Sequence, residues 1–348
     1  MGMSFLCAIP VFGILIAFIY AKNIFDLGGL LMGKSITKAQ AKEMYRTMWK
    51  IRRFEQEVFE FYKKGQMAGL AHLYIGEEAV AAGACAAIGP QDDIGSNHRG
   101  HGHLVARGAD MGRMMAEILG KEDGYSKGKG GSMHIMAMDL GILGANGIVG
   151  GEIPIATGAG YSAKYRGTDQ VTLCFFGDGA SNEGTFHESI NMAAAWDLPV
   201  IYIIENNLYG ITVDTRRVTK EHDLAKRAVG YGIPGYTIDG NDVEVVYETV
   251  KKAVEDARAG KGPSIIECKT YRHHGHNGSD PCVYRTKEEV EEWKKRDPLL
   301  VLEQKGILSA KDIEKIKAEV EPEIKAACKF AEDSPYPEPE ELMEDIFA

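Results

Sequence analysis

The sequence predicts an α/β fold: a parallel sheet flanked by helices, with helical extensions at both ends. Three observations predict it. Two short apolar runs, 171–176 and 200–204, enclose a helical pattern over 182–198 that puts Phe186, Ile190, Ala194 and Leu198 on one face. Such runs read as strands buried on both sides, and strands joined through a helix pair in parallel. The alternation repeats downstream, with a strand at 236–238, a helix at 242–258 and a strand at 264–268. Composition agrees: 348 residues, 45% hydrophobic and 26% charged, allow a sizeable core and exclude wholesale disorder.

The elements follow in order. Residues 4–20 carry no charge and Lys22 follows them. A spanning helix needs about 20 apolar residues, and a signal peptide wants positive charge ahead of its apolar run. The segment 1–31 is therefore read as an apolar appendage, with Met32 as an alternative first residue and a membrane anchor as the competing reading. Gly28 to Ser35 spells G-x-x-x-x-G-K-S. That loop cradles phosphate only between a strand and a helix, and the preceding Asn23-Ile24-Phe25-Asp26 is a poor strand, so the match reads as a decoy.

A helix is expected over 37–64. Thr37 and Gln40 form a capping-box pattern, and Met44, Met48, Ile51, Phe54, Val58 and Phe61 recur at steps of three and four. Gly65 ends it. Residues 95–160 are dense in glycine and histidine, which points to tight turns or a ligand-approaching loop. The run Gly158-x-Gly160-x-x-Ala163 lacks the strand and acid of a dinucleotide site and suits close helix packing. From 287 on the chain is helical and acidic, with 10 basic against 18 acidic residues in a chain of net charge -10. The division is an appendage over 1–31, an α/β domain with its leading helix over 32–286, and an acidic helical region over 287–348.

Charge and cysteines narrow the function. A chain with 40 basic and 50 acidic residues and no basic cluster is not a nucleic-acid binder. None of the six cysteines forms a C-x-x-C pair, which removes zinc knuckles and dithiol redox motifs. Cys174 and Cys268 lie in apolar runs, and free thiols suit a reducing compartment, the cytoplasm.

Asp178, in Gly177-Asp178-Gly179, and Asn206-Asn207 fall at the carboxyl ends of successive strands. Ligands of open α/β sheets bind at that edge. A carboxylate, an amide oxygen and a loop carbonyl make a hard oxygen set suited to Mg²⁺, which takes its other ligands from phosphate and water. The glycines let the backbone approach a diphosphate, and the helix after Gly179 is expected to add its positive end. The plain alternative is that Asp178 caps that helix and Asn207 caps a turn.

The segment GDGASNEGTFHESINMAAAWDLPVIYIIENNLYGIT (177–212) resembles the thiamine-diphosphate motif of the alpha subunits of two-chain 2-oxoacid dehydrogenases. These are the first components of the pyruvate, branched-chain and acetoin dehydrogenase complexes. The likeness runs from about Thr37 to Ala348 and includes HLYIGEEA (72–79), HRGHGH (98–103), GYSKGKGGSMHI (124–135) and GANGIVGGEIP (144–154). It implies a thiamine-diphosphate-binding fold and a thiamine-diphosphate- and Mg²⁺-dependent oxidoreductase with a lipoyl disulfide as acceptor. Asp178, the Asn207 side chain and the Tyr209 carbonyl then resemble Mg²⁺ ligands. Gly179 and Ala180 resemble the backbone donors to diphosphate, and Arg99, beside His98, its charged clamp. Gly147 and Val149 resemble the supports of the aminopyrimidine. His276 resembles the active-site histidine and His72 a substrate-contacting one, whereas His101, His103, His134, His273 and His274 have a bland reading as partners of backbone groups.

Two positions depart from the pyruvate type. His98 stands where many pyruvate-type chains have tyrosine, and HRGHGH and GANGIVGG look like acetoin dehydrogenase. Asn277 stands where mitochondrial chains have a regulatory serine. The expected function is the alpha subunit of an acetoin-cleaving dehydrogenase that passes a two-carbon unit oxidatively to a lipoyl group. Pyruvate decarboxylation is the alternative, with branched-chain acids behind it. The resemblance also implies a beta subunit carrying the glutamate that activates the cofactor, a tetramer of two alpha and two beta chains, and a lipoyl-bearing acyltransferase. A phosphate-loop NTPase resting on Gly28 and a membrane scaffold resting on 4–20 are the alternatives of other classes.

Overall fold

The computed structural model describes residues 36–67 and 69–344. The apolar run at 4–20 and the phosphate-loop pattern lie outside them. Helix α1 (Lys38–Lys63) opens the described chain. The Thr37 hydroxyl accepts the Gln40 N–H at 3.3 Å and the Gln40 carboxamide accepts the Thr37 N–H at 2.9 Å, so the reciprocal cap forms as expected. All six residues of the predicted stripe are buried. Gly65 follows at φ +67°, a left-handed conformation that ends helices.

Six parallel strands form the sheet: β1 (Asp93–Asn97), β2 (Ile142–Asn146), β3 (Thr172–Gly177), β4 (Val200–Asn206), β7 (Gly235–Asp239) and β8 (Ser264–Lys269). Their order is β2-β1-β3-β4-β8-β7, and a small antiparallel ribbon of β5 (Tyr209–Gly210) and β6 (Val213–Asp214) projects after β4. The apolar runs are continuous because both faces are covered. Leu173, Phe175, Ile201 and Ile203 face one core, and Cys174, Phe176, Tyr202 and Ile204 face the other. The first core takes in α1, α2 (Glu78–Ala86), α8 (Val243–Arg258) and α11 (Ala310–Asp333); the second takes in α5 (Glu152–Arg166) and α6 (Gly184–Ala195). Short helices α3 (His101–Ala106), α4 (Met111–Ile118), α7 (Thr215–Val218), α9 (Lys287–Lys294) and α10 (Pro298–Gln304) complete the set. No helix among the described residues is long and apolar enough to cross a membrane.

Three expectations need correction. Residues 95–160 are not one long loop: they hold the end of β1, then α3, α4, β2 and most of α5. The strands Asp-Ile-Gly-Ser-Asn and Ile-Leu-Gly-Ala-Asn are poor in β-branched and aromatic residues, and pairing inside a buried sheet overrides that weak propensity. The helix expected from 182 starts at Gly184, after a 3₁₀ turn over Ala180–Asn182, and turns Ala193 rather than Ala194 into the core. No long helix therefore begins at Gly179. Gly160 does mark close packing, because a Cβ there would run into Val200 Cγ2.

Candidate active site

Strand order reverses between β1 and β3, and such a switch point opens a crevice at the carboxyl edge. A cavity of about 480 Å³ lies there. Its walls come from the ends of five strands: His98 and Arg99 after β1, Gly147 and Val149 after β2, Asp178 to Ala180 after β3, Asn207 and Tyr209 after β4, and His276 after β8. His72 completes it from the segment before α2. Every predicted site residue thus lines one cavity.

The oxygen set sits on the β3–β4 side. Asp178 is buried, and its carboxylate accepts the Thr215 hydroxyl. Burial raises its pKa, and the Thr215 hydrogen bond and the Arg272 charge oppose that rise. Gly179 and Gly210 face each other, and a Cβ on either would come within 3.6 Å of the other's Cα. The Asn207 amide is held by Glu77, which accepts from its Nδ2 at 3.2 and 3.3 Å. The Tyr209 carbonyl accepts from Arg272 at 3.0 Å, while its phenol turns away to donate to Glu289 at 2.8 Å.

Arg99 is fixed by backbone carbonyls, donating to Leu73 at 2.8 Å and to His276 at 3.1 Å, with Glu77 at 3.7 Å. Burial pushes Glu77 up to about 8, against the pull of Arg99. Three imidazoles cluster above it. Ring centroids lie 4.8 Å apart for His72 and His276, 5.0 Å for His72 and His98, and 5.7 Å for His98 and His276. Burial, reinforced by the Arg99 charge, lowers His72 to about 3 and His276 to about 4, and holds His98 well below its usual value. All three rings are neutral near pH 7.

In the cavity wall, the buried Glu205 accepts from Tyr74, from Asn97 at 2.9 Å and shares a 2.8 Å contact with His103 Nε2. Burial alone would raise Glu205; the His103 imidazole and these hydrogen bonds overcome it and hold the carboxyl low. His103 and His101 are not backbone partners as the bland reading had it. His101 bridges Glu55 and Ser132, each at 3.0 Å. Sequence reasoning missed Glu77, Glu152, Glu205 and Arg272, all cavity residues. Acids at helix starts and strand ends read as exposed, and only the fold shows them buried.

Four residues that line this same cavity each carry a buried polar atom without a partner: His72 Nδ1, Glu152 Oε2, Arg272 Nε and His276 Nδ1. Buried polar groups are ordinarily satisfied, so a concentration of orphans marks a ligand site. An oxygen set at one end, arginines beside it and glycines at the turns suit a metal-bound diphosphate, and neutral imidazoles suit proton transfer.

Fold and site together define a cofactor-binding α/β enzyme with its centre at the carboxyl edge of a parallel sheet. Residues 46–340 match the family described as dehydrogenase E1 component, and the chain belongs to that family. Its members are thiamine-diphosphate-dependent oxidoreductases of dehydrogenase complexes. The chain is 47% identical over 321 residues to the alpha subunit of acetoin:2,6-dichlorophenolindophenol oxidoreductase of Bacillus subtilis, covering 90% of this chain and 96% of that one. It is 42% identical over 315 residues to the pyruvate dehydrogenase E1 component alpha subunit of Rhizobium meliloti, covering 89% and 90%. It is also 42% identical over 309 residues to the acetoin oxidoreductase alpha subunit of Cupriavidus necator, covering 87% and 93%.

Proposed function

We propose that this chain is the alpha subunit of an acetoin-cleaving dehydrogenase. One observation carries the reading: the cavity at the switch point joins an oxygen set to a cluster of neutral histidines, and four of its lining residues carry buried polar atoms without partners. Identity to the Bacillus subtilis acetoin subunit, higher than to the Rhizobium meliloti pyruvate subunit, supports acetoin, as does His98. Pyruvate is the second reading, favoured by several pyruvate dehydrogenase relatives at 40–43% identity.

Asp178, Asn207 and the Tyr209 carbonyl would hold Mg²⁺, with Arg99 and His98 beside the Gly179 and Ala180 amides for the diphosphate. Gly147 and Val149 would support the aminopyrimidine. The cofactor supplies a carbanion centre that adds to a carbonyl and takes up the electrons of C–C cleavage. The neutral rings of His276 and His72 each offer a basic nitrogen. One of them accepts the proton of the substrate hydroxyl as the adjacent C–C bond breaks and acetaldehyde leaves.

A beta chain supplies the remaining wall and the activating glutamate, in a tetramer of two alpha and two beta chains. Exposed apolar side chains support this partner. Ile148 is 72% and Tyr165 81% exposed, and Tyr161 stacks on Tyr165 with centroids 6.1 Å apart and meets Trp196 in a tilted contact at 5.6 Å. Exposed apolar patches of this kind mark protein interfaces. A lipoyl arm on a separate acyltransferase takes the two-carbon unit. The free thiols of Cys85, Cys174 and Cys268 suit the cytoplasm.

The test is turnover of the alpha–beta assembly with thiamine diphosphate, Mg²⁺ and dichlorophenolindophenol. Faster reduction with acetoin than with pyruvate is expected. Faster reduction with pyruvate overturns the substrate and keeps the site.

A further inference from the structure

Glu152 opens α5 directly after the glycine-rich loop that carries Gly147 and Val149. Nothing so far gives it a role. It is 2% exposed, lines the cavity, and its Oε2 is buried without a partner. A helix start offers N–H groups to a carboxylate, but the charge itself has no compensation. The influences on it are burial, its own backbone N–H and Glu205; no cation is among them.

The groups around it explain this isolation. Glu205 on β4 is already engaged by Tyr74, Asn97 and His103. Cys174 on β3 places its sulfur 3.9 Å from the Glu152 carbonyl, and burial keeps that thiol protonated. Asp178 and Glu183 share the cavity and add only negative charge. Arg99 and Arg272 share it too, but Arg99 is held by the Leu73 and His276 carbonyls beside Glu77, and Arg272 by the Tyr209 and Ile211 carbonyls and the Tyr284 hydroxyl. A buried carboxyl without a cation keeps its proton; burial pushes Glu152 up to about 8.

The position of Glu152 says what would change this. The oxygen set and Arg272 lie at the ends of β3, β4 and β8, where a diphosphate would lie, and Arg99, from the end of β1, stands beside Glu77, the partner of Asn207. Glu152 stands on the β2–α5 flank, on the side of Gly147 and Val149. With Gly147 and Val149 supporting the aminopyrimidine as proposed above, the ring end of the cofactor would come to this side of the cavity, and its thiazolium ring is a permanent cation. We propose that Glu152 is the counter-ion that this chain offers to the thiazolium ring and that it gives its proton to solvent as that ring binds. The Glu152 O–H bond breaks, the proton enters bulk water, and no bond of the cofactor changes. The inference rests on the cofactor assignment above.

The experiment is calorimetric. Binding of thiamine diphosphate with Mg²⁺ to the alpha–beta assembly is measured at pH 7 in two buffers of different ionisation heat, which counts the protons released. Wild type is expected to release about one proton per site more than Glu152→Gln, since a group titrating near 8 is mostly protonated at pH 7. Protons lost by the diphosphate on meeting Mg²⁺ are common to both and cancel. The excess disappears when the probe is the thiazolone analogue, whose ring carries no charge. Below pH 8 the wild-type affinity rises with pH by up to about tenfold per unit relative to Glu152→Gln. Equal proton release by wild type and variant overturns the inference. So does equal release by wild type with the charged and uncharged rings, a comparison that needs no variant. Absence of cofactor binding by wild type overturns the functional reading itself, and the inference falls with it.

Discussion

The Asn207 amide is oriented by Glu77, which accepts from its nitrogen, while its oxygen accepts the Tyr209 N–H at 3.4 Å. Partners that orient a metal ligand are worth about 10–100-fold in metal affinity. Glu77→Ala is therefore expected to weaken Mg²⁺-dependent cofactor binding by that much, with Glu77→Gln restoring most of it. A fluorescence titration reads both; an Ala variant that binds like wild type removes Glu77 from this role. The histidines give a second prediction. In the fold His72 titrates at about 3 and His276 at about 4, against an ordinary 6.5. Unfolding returns them to the ordinary value, so between those limits the unfolded chain binds more protons. The stability gained from keeping the rings neutral is complete above pH 6.5 and is lost as the pH falls toward 4 and then 3. The thermal midpoint should drop through that window, and less steeply in His72→Gln. An identical slope in the variant would sink the account.

At the scale of elements, the loop between α4 and β2 is held by one acid. Glu117, fully buried on α4, accepts four backbone N–H groups: Ser126 at 2.7 Å, Gly128 at 2.9 Å, Gly130 at 2.8 Å and Gly131 at 3.0 Å. Removing the acceptor strands several donors, each costing about 1–3 kcal/mol when buried. Glu117→Ala is expected to destabilise the chain by at least about 3 kcal/mol in denaturant unfolding; a loss below about 1 kcal/mol would show that water replaces the carboxylate. The sequence shows none of this, because a glutamate in a short helix reads as solvent-facing. The contrast with β3 and β4 is instructive. Their apolar runs announce themselves because both faces are dry, and Asp178 and Asn207 follow at the strand ends. In β1 and β2 the pairing comes from neighbours far along the chain. Thus Arg99 and Val149 were legible as motif residues before their strands were legible as strands.

For the whole molecule, the apolar rim of α5 and α6 is a statement about assembly. Tyr165→Asp and Trp196→Asp are expected to abolish co-purification with a beta partner while leaving the thermal midpoint of the isolated alpha chain within about 2 °C of wild type, since exposed side chains contribute little to folding. Retained assembly in both variants would move the interface elsewhere.

The strand order has a consequence for synthesis. β8 lies between β4 and β7, yet it is the last strand made. A nascent chain therefore carries β4 as an open edge while about 60 further residues are added, from the end of β4 to the start of β8. At roughly 5–20 residues per second that interval lasts several seconds. Throughout it an apolar edge is available to any other unpaired strand, including one on a neighbouring ribosome. The last strand to emerge is the one that shuts the sheet, so a chain cut short before residue 264 is expected to be lost to chaperones or aggregates rather than to accumulate as a smaller folded protein.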